Sequence, residues 1–169
     1  MFTEPKIEQR PEQPYAGIRF QTTMNDMGPD LFPRHLGELY AWLGQHGAEP
    51  VGAPILRFYT IDMEDKLDIE LGLPVANAIP GDDRVNASTL PAGRYAYLVY
   101  TGIANGIEGN ARLLEWGTAQ GLKWDQWDTP QGDAFGGRYE TFLSGPQDDP
   151  DPARWDNEVA IRLADDQSR

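Results

Sequence analysis

Residues 11–16 read PEQPYA and residues 91–96 read PAGRYA, so the pattern P-x-x-x-Y-A occurs twice. Two further patterns recur in the same order. W-x-x-x-x-G begins at Trp42 and again at Trp116, and R-[FY]-x-T begins at Arg57 and again at Arg138. Self-similarity at a nearly constant spacing indicates a repeated structural unit. The sequence therefore predicts two like halves, at about residues 4–80 and 81–165, within a single domain of 169 residues.

Each half is predicted to contain two strands, a helix and two more strands. The 18 glycines and 14 prolines punctuate the chain densely, which is typical of short strands joined by turns. Helices are predicted at residues 29–47 and 107–121, where apolar residues recur at three- and four-residue steps and a glycine ends each run. Strands are predicted at residues 6–10, 15–24, 54–62, 66–75, 85–90, 94–101, 137–143 and 158–163. This order predicts an α+β fold of duplicated β-β-α-β-β units, packed about a pseudo-twofold axis with a central ligand groove.

The composition excludes several classes of chemistry. The chain has no cysteine, so it cannot form a disulfide framework, a zinc ribbon or a thiol nucleophile. Its 14 Lys and Arg residues against 27 Asp and Glu residues give a formal net charge of −13, which repels the phosphates of nucleic acids and of anionic membranes. Hydrophobic residues make up 40% of the chain, enough to build a core. We therefore expect a globular protein with no direct nucleic-acid or membrane partner.

The ends of the chain favour a cytoplasmic location. The first ten residues, MFTEPKIEQR, contain no apolar run of the kind that a secretory signal needs. No stretch reaches the roughly 20 apolar residues that span a bilayer. The last residues, ADDQSR, are polar and are expected to form a frayed tail.

Neither the histidines nor the clustered carboxylates form a recognisable catalytic or metal-binding pattern. His35 and His46 lie in the first predicted helix, away from any hydroxyl or carboxylate motif, so a Ser-His-Asp triad is unsupported. Both histidines are expected on the helix surface. Acidic clusters at residues 62–65 and 148–151 lack the glycine of a calcium loop and are expected to be solvated turns. We therefore expect no metal and no cofactor.

Glu140 stands apart from the other acids because it lies in the middle of the apolar strand GRYETFL, residues 137–143. Side chains alternate across a strand, so Arg138, Glu140 and Phe142 are expected to share one face. Two interpretations are open: a salt bridge or plain exposure to solvent, and a buried acid in an aromatic pocket. A buried carboxyl would have a raised pKa and would suit a cationic ligand or general acid–base chemistry. Glu70, in the strand KLDIELGLPV, is a secondary candidate.

The chain has 5 Trp, 7 Tyr and 6 Phe, and many of these aromatic residues lie on the predicted strands. Aromatic faces around an acid can hold a lipophilic cation by cation–π and Coulomb attraction, whereas core packing is the other interpretation for any one ring. In the R-[FY]-x-T repeat Tyr59 is the counterpart of Glu140, so both are expected to face one groove. The expected ligand-binding residues are Glu140, Tyr59, Phe142, Tyr95, Tyr97, Phe20, Trp127, Trp155 and Glu70.

Several stretches carry a family resemblance over about residues 4–165. They are IEQRPEQPYAGIR, RFYTIDMEDKLDIELGLPV, LPAGRYAYLVYTG, LLEWGTAQGLKWD, GRYETFLSGP and RWDNEVAIRLAD. With these stretches the chain resembles the GyrI-like (gyrase-inhibitor-like) small-molecule-binding domains, which also form the effector-binding part of multidrug-responsive transcription activators. The resemblance implies a duplicated α+β unit with an aromatic groove and a key glutamate in the late strand, which maps onto Glu140.

The residues and the resemblance together lead to three functional hypotheses. The first is a standalone bacterial protein that binds lipophilic, cationic or planar small molecules, with Glu140 supplying charge. The second, implied by relatives that act on cyclopropane-bearing genotoxins, is a detoxifying hydrolase with Glu140 and Tyr59 as catalytic residues. The third is a protein-binding module that acts on gyrase, as the family name suggests, with an acidic surface that mimics DNA electrostatically. If the protein regulates transcription, we expect it to do so through a partner.

Overall fold

The computed structural model describes residues 1–27 and 31–165. Within this part of the chain, ten strands and two α-helices form the regular structure. The strands are β1 Lys6–Arg10, β2 Gln13–Thr22, β3 Ile55–Ile61, β4 Leu67–Pro74, β5 Asn86–Leu90, β6 Gly93–Thr101, β7 Gln126–Thr129, β8 Gly132–Phe135, β9 Arg138–Phe142 and β10 Asp156–Arg162. The helices are α1 Leu31–Gln45 and α2 Gly106–Ala119, and short 3-10 turns lie at Ile103–Asn105 and Pro152–Arg154. None of the helices in the described residues is both long and apolar enough to cross a bilayer.

The α+β class and both predicted helices are confirmed. Gly47 and Gly121 adopt φ angles of 65° and 75° just beyond the helices, as expected of glycines that end a helix. All eight predicted strands form, with bounds shifted by at most two residues. The predicted helix start at residue 29, and the end of the predicted polar tail beyond residue 165, lie outside the described residues.

One hairpin was not predicted. β7 and β8 pair across a tight turn, with Trp127 opposite Ala134. Gly132 in this turn has a φ of 115°, and a Cβ there would lie 2.4 Å from the carbonyl oxygen of Ile61, so the turn requires glycine. The two strands, QWDT and GDAF, are very short and show no sustained alternation, so their pattern could not distinguish them from a loop.

All ten strands belong to one antiparallel sheet. Along its main path the order is β1-β6-β10-β9-β3-β4-β2-β5, while β8 pairs with β3 and carries β7. The two halves of the sheet have the same strand order, read outward from the central β9–β3 pair. β9 is followed by β10 and β6 on one side, and β3 is followed by the corresponding β4 and β2 on the other. The outermost strands are exchanged, since β1 pairs with β6 of the second half and β5 pairs with β2 of the first. The topology agrees with two like units, whereas their origin by duplication stays a prediction.

The strand register corrects one residue correspondence taken from the repeat. The distance along the chain from the start of β1 to that of β5 equals the distance from the start of β2 to that of β6. Equivalent residues of the two halves can therefore be matched, beginning at these outer strands. Continued inward through the hydrogen-bond registers of β4 and β10, this matching makes Leu56 the equivalent of Glu140, and these two residues face each other across the β3–β9 pair. The expected pairing of Tyr59 with Glu140 is wrong, because the R-[FY]-x-T motif aligns the two halves out of step with this register.

Side-chain alternation gives the sheet a helix-covered face and a helix-free face. On the helix-covered face Ile18, Leu56 and Leu71 pack with α1, and Leu98 and Ile161 pack with α2. The helix-free face carries a separate buried cluster of Tyr15, Ile55, Leu90, Tyr95, Tyr139 and Ala160. Neighbouring residues on one strand therefore lie in different environments, which decides what each candidate site residue can contact.

His35 is buried rather than on the helix surface, which corrects the expectation from sequence. The residue is 8% exposed, and its ring stacks on Phe20 with 4.6 Å between the centroids. Its Nδ1 lies 2.7 Å from the carbonyl oxygen of Leu31. His35 is thus a packing residue of α1, while His46 is exposed as expected.

Candidate functional site

Glu140 lies at the centre of the sheet, in the middle of β9. Its neighbours on the flanking strands are Leu56 on β3 and Val159 on β10, both buried and apolar. Glu140 itself is only 9% exposed. A carboxylate in this position loses most of its hydration, which is costly unless protein groups or a proton replace it. Of the two interpretations left open by the sequence, the structure therefore supports burial.

Two side chains on the helix-covered face donate hydrogen bonds to the Glu140 carboxyl. The Tyr100 hydroxyl, from β6, donates to Oε1 in a short contact. Asn110 Nδ2, from the second turn of α2, lies 3.4 Å from Oε2, which is a long hydrogen bond. Gly109 lets the helix approach this closely, because a Cβ at that position would lie 2.9 Å from Cδ1 of Tyr100. The carboxyl therefore has one strong donor and one weak donor.

Arg138 lies two residues before Glu140 on the same face, but it binds a different partner. Its Nη2 donates to Asn110 Oδ1 at 2.7 Å, and its guanidinium carbon lies 4.7 Å from the centroid of the Phe135 ring. Among the described residues, Arg138 Nε has no hydrogen-bond partner. Burial lowers the pKa of Arg138 to about 10, against the opposing attraction of Glu140. Asn110 therefore bridges the two charged groups.

Burial raises the pKa of Glu140 above its usual value, because desolvation disfavours the charged form. The hydrogen bonds from Tyr100 and Asn110 and the charge of Arg138 oppose this shift without cancelling it. Such a carboxyl exchanges its proton in a higher pH range than an exposed one. It can stabilise a cation that takes the place of the proton, and it can also donate or accept a proton in a reaction.

Aromatic residues extend the helix-covered face beyond Glu140. Phe142, two residues further along β9, is half-buried and packs against the core beneath α1. Its ring centroid lies 6.1 Å from that of Phe32 in α1. Phe20 on β2 belongs to the same packed layer and stacks on His35. Phe20 and Phe32 of the first half and Phe142 of the second therefore form an apolar aromatic wall on the face that holds Glu140.

Glu70 is buried on the opposite, helix-free face, where its hydrogen bonding is more complete. The residue is 0% exposed. Oε1 accepts from the hydroxyls of Tyr15 at 2.5 Å and Tyr59 at 2.7 Å. Oε2 accepts from Asn86 Nδ2 at 3.2 Å and Ser88 Oγ at 3.1 Å. Four donors from β2, β3 and β5 satisfy this carboxylate, which is typical of a structural acid.

The structure divides the predicted site residues between the two faces of the sheet. Those on the helix-covered face are Glu140, Phe142 and Phe20. Those on the helix-free face are Glu70, Tyr59, Tyr95 and Tyr97. The expectation that they line a single groove is therefore wrong, because strand alternation places adjacent candidates on opposite sides of the sheet.

The two tryptophans of the prediction lie on β7 and just before β10, outside the strand that carries Glu140. Trp127 is on β7, outside the main path of the sheet, and is 52% exposed. Trp155 follows the turn at Pro152–Arg154, and its Nε1 donates to the carbonyl oxygen of Asp149 at 2.6 Å. Trp155 therefore holds the Asp-rich loop before β10.

Sequence reasoning did not select Tyr100, Asn110 or Tyr15 as site residues. Tyr100 lies in the strand RYAYLVYT and reads as one of several core aromatics, so the sequence offered no reason to prefer it. Asn110 lies in a helix that also carries Glu108 and Arg112, so one more polar residue there gave no signal of a site. Tyr15 is part of the P-x-x-x-Y-A repeat, but its bond to Glu70 joins distant parts of the chain and depends on strand pairing.

Two surface cavities lie away from Glu140. One of about 350 Å³ lies between the N-terminal segment and α2, and its lining includes Phe2, Arg112 and Trp116. The other, of about 230 Å³, lies beside Gln9 and Arg94. With Glu140 at 9% exposure, the predicted central groove is closed over its carboxyl in this structure. In the part of the chain that the structure describes, no three His, Asp or Glu side chains are grouped to hold a metal ion.

Comparison with known proteins gives a family and several solved relatives. The family model of the GyrI-like small molecule binding domain matches residues 3–164. No curated protein matches the chain. EcmrR in its complex with DNA shares the fold at a TM-score of 0.69 and 14% identity, over 96% of this chain. This chain spans only 57% of EcmrR.

Two further solved structures resemble the whole chain. A hydrolase from Listeria innocua has a TM-score of 0.64 and 14% identity, and the alignment covers 95% of this chain and 92% of the hydrolase. SAV2435, solved bound to tetraphenylphosphonium, has a TM-score of 0.56 and 11% identity, with 99% and 98% covered. At such low identities the likeness establishes a common fold.

Proposed function

The chain belongs to the GyrI-like small-molecule-binding family, and from this membership we propose that it binds a lipophilic cation, or a planar molecule with positive charge, at Glu140. One observation carries the proposal. A carboxyl is buried between apolar strands with one strong and one weak hydrogen-bond donor, too few to offset the cost of its charge. A bound cation would supply the missing compensation. SAV2435, which shares the fold, is bound to the lipophilic cation tetraphenylphosphonium.

Electrostatics make a buried carboxylate selective for cations. Two unit charges about 4 Å apart attract by about 4 kcal/mol at an effective dielectric constant of about 20, against about 1 kcal/mol in bulk water. A ring within about 6 Å adds roughly 0.5–2 kcal/mol of cation–π attraction, and Phe142 lies on the same strand face as Glu140. The net charge of −13 raises the concentration of cations near the surface. All three effects favour the same class of ligand.

Binding requires the side chains that cover Glu140 to move. Asn110 is the weaker of its two partners, because its hydrogen bond to Oε2 is 3.4 Å long. A ligand that displaces Asn110 would also break the 2.7 Å hydrogen bond that Arg138 donates to it. Tyr100, in contrast, is fixed at 3% exposure beneath α2 and receives a hydrogen bond from Asn157 at 3.2 Å. We therefore expect the ligand to reach the carboxyl on the Asn110 side.

Titration with tetraphenylphosphonium and a rhodamine dye tests the proposal, with calorimetry and fluorescence as the two measurements. Glu140→Gln should weaken binding of both cations at least tenfold, which is about 1.4 kcal/mol. Glu70→Gln is the matched control, since it changes a buried mid-strand glutamate on the opposite face and should leave the Kd within about twofold. The neutral ligand triphenylphosphine oxide should bind wild type and Glu140→Gln alike. Equal affinity of wild type and Glu140→Gln for the cations would contradict the electrostatic basis of the proposal.

A detoxifying hydrolase is the second candidate function. It is favoured by the direct hydrogen bond between Tyr100 and Glu140 and by the raised pKa of that carboxyl, which makes Glu140 a better proton acceptor than an exposed carboxylate. In this mechanism Tyr100 takes the role that the sequence gave to Tyr59, which lies on the other face of the sheet. The Listeria innocua hydrolase shares the fold.

The proposed reaction adds water to a cyclopropane-bearing alkylator. One carbon–carbon bond of the ring breaks and its electron pair stays on one of the two carbons. The water oxygen bonds to the other carbon. Glu140 takes the water proton and delivers it to the carbon that kept the electron pair. Mass spectrometry should find a product heavier by one water, formed over many turnovers and lost in Glu140→Gln. Stoichiometric binding without product would reject catalysis and leave the binding proposal intact.

A further inference from the structure

The helix-free face holds an aromatic enclosure around the chain's own Arg10. The guanidinium carbon of Arg10 lies 4.8 Å from the ring centroid of Tyr97, 5.7 Å from that of Tyr95 and 5.9 Å from that of Tyr139. The Tyr95 and Tyr139 rings meet edge to face, 5.7 Å apart at 76°, and form two adjoining walls. We call these three rings together with Glu158 the tyrosine cage.

The cage offers a cation both charge and directed hydrogen bonds. Glu158 Oε1 accepts from Arg10 Nη1 at 2.7 Å, and the Tyr139 hydroxyl accepts from the same nitrogen at 2.7 Å. Glu8 closes the outer side through a 2.9 Å ion pair with Nη2. Aromatic faces with a carboxylate at hydrogen-bond distance form an effective recognition site for guanidinium and alkylammonium ions. The tyrosine cage therefore has the composition of a cation site, already occupied by an internal group.

The occupant and the walls come from parts of the sheet with different stability. Arg10 ends β1, a short edge strand whose residues 6–9 are exposed and which pairs, among the described strands, with β6 alone. The walls lie on β9 and β10, which are paired on both sides without β1, and on β6, which keeps its pairing with β10 when β1 separates. Short edge strands open locally at lower free energy than interior strands. Separation of β1 would thus remove Arg10 and leave the rings and Glu158 in place.

We propose that the tyrosine cage is a second ligand site, for alkylguanidinium and related small organic cations, and that Arg10 is an internal competitor which occupies it while β1 is paired. A tethered group competes at an effective concentration in the millimolar range, so an external cation binds the wild-type chain weakly. Tyr95 and Tyr97, which the sequence placed in the groove of Glu140, belong to this second site on the opposite face.

Arg10→Ala and methylguanidinium, which reproduces the arginine head group, test the proposal by calorimetry and by shifts of the tyrosine ring signals in NMR spectra. Arg10→Ala should bind one equivalent of methylguanidinium with a Kd at least tenfold lower than wild type, and the ligand should raise its melting temperature. Adding Glu158→Gln to Arg10→Ala should weaken that binding at least tenfold. Arg10→Met, which keeps an unbranched side chain against the rings, serves if Arg10→Ala does not fold.

Arg19→Ala is the matched control on the same face. Arg19 lies 3.7 Å from the Tyr59 ring, but Arg57 also covers that ring at 4.4 Å, so removing Arg19 vacates no cage. Arg19→Ala should therefore bind methylguanidinium no better than wild type. The proposal is overturned if neither Arg10→Ala nor Arg10→Met binds methylguanidinium saturably, or if wild type binds it equally well. Tetraphenylphosphonium binding at Glu140 should be unchanged by Arg10→Ala, so the two sites can fail separately.

Discussion

Neutralising each of the two buried glutamates should have opposite effects on stability, although both are mid-strand acids. Glu70→Gln places an amide nitrogen where one carboxylate oxygen accepts two hydrogen bonds. An amide nitrogen cannot accept a hydrogen bond. Two donors therefore lose their acceptor, either Tyr15 and Tyr59 or Asn86 and Ser88. Glu140→Gln keeps the Tyr100 hydrogen bond through its carbonyl oxygen and loses only the 3.4 Å contact with Asn110.

The magnitudes follow from these contacts. A hydrogen bond to a charged group contributes about 1.5–3 kcal/mol, and the remaining bonds relax partly, so Glu70→Gln should cost about 2–4 kcal/mol. For a chain of this size that lowers Tm by roughly 5–15 °C. Burial raises the pKa of Glu140, so the folded state favours its neutral form. Glu140→Gln should therefore cost nothing. Above the raised pKa it should stabilise the protein, because wild type there loses the free energy needed to ionise a buried carboxyl and the amide does not.

Urea unfolding followed by circular dichroism at about pH 5 and about pH 8 measures both variants. A raised carboxyl pKa makes the stability of wild type fall as pH rises through the window from the ordinary value to the raised one. Glu140→Gln lacks this loss, so its advantage over wild type should grow across the window and then stay constant. A loss of stability in Glu140→Gln as large as that in Glu70→Gln would refute the reasoning.

Four further outcomes are expected. As pH rises, tetraphenylphosphonium affinity should increase by up to tenfold per pH unit below the raised pKa of Glu140 and level off above it, because the cation and the proton compete for the carboxyl. Calorimetry in buffers of different ionisation enthalpy counts the released proton. A pH-independent Kd would contradict this competition. Tyr100→Phe removes a donor that favours the carboxylate, so NMR titration of Glu140 should show a still higher pKa, and an unchanged value would count against the assigned contact. Gly117→Ala should destabilise by about 1–3 kcal/mol in urea unfolding, because its Cβ would lie 2.2 Å from Cζ2 of Trp124. Gly44→Ala, whose Cβ meets nothing within 4 Å, should instead stabilise α1 by about 0.5–1 kcal/mol.

Local patterns in the sequence predicted the elements because each element is specified by residues close together in the chain. Gly47 and Gly121 end the helices with the positive φ angles that glycine tolerates, and both ends were placed from sequence. Glu140 was selected because an acid inside an apolar strand must be exposed, paired or buried at a cost, and it is buried. Such features need no knowledge of which strands pair.

The composition of the site could not be predicted in the same way, because it depends on pairing between distant strands. Alternation along the strand shows that Tyr95 and Ala96 point to opposite faces of the sheet. Only the packing of α2 on the side of Ala96 shows that Ala96 lies on the helix-covered face and Tyr95 on the helix-free face. Tyr59 was matched to Glu140 by a motif, whereas the register assigns Leu56, and β3 is irregular between Phe58 and Thr60. A motif aligns residue types, while hydrogen bonding across the sheet decides which residues meet.

The difference between a structural and a receptive acid lies in the neighbours of the carboxyl. Glu70 has four donors, and Glu158 has the guanidinium of Arg10 at 2.7 Å. At Glu140 the nearby guanidinium of Arg138 is directed to Asn110 instead. A fully satisfied carboxylate gains little from a ligand, since each new contact replaces an existing one. An incompletely satisfied carboxylate lowers the stability of the empty protein, and that free energy is regained when a cation binds. Among variants of Asn110 and Arg138, cation affinity at Glu140 should therefore rise where the stability of the ligand-free protein falls.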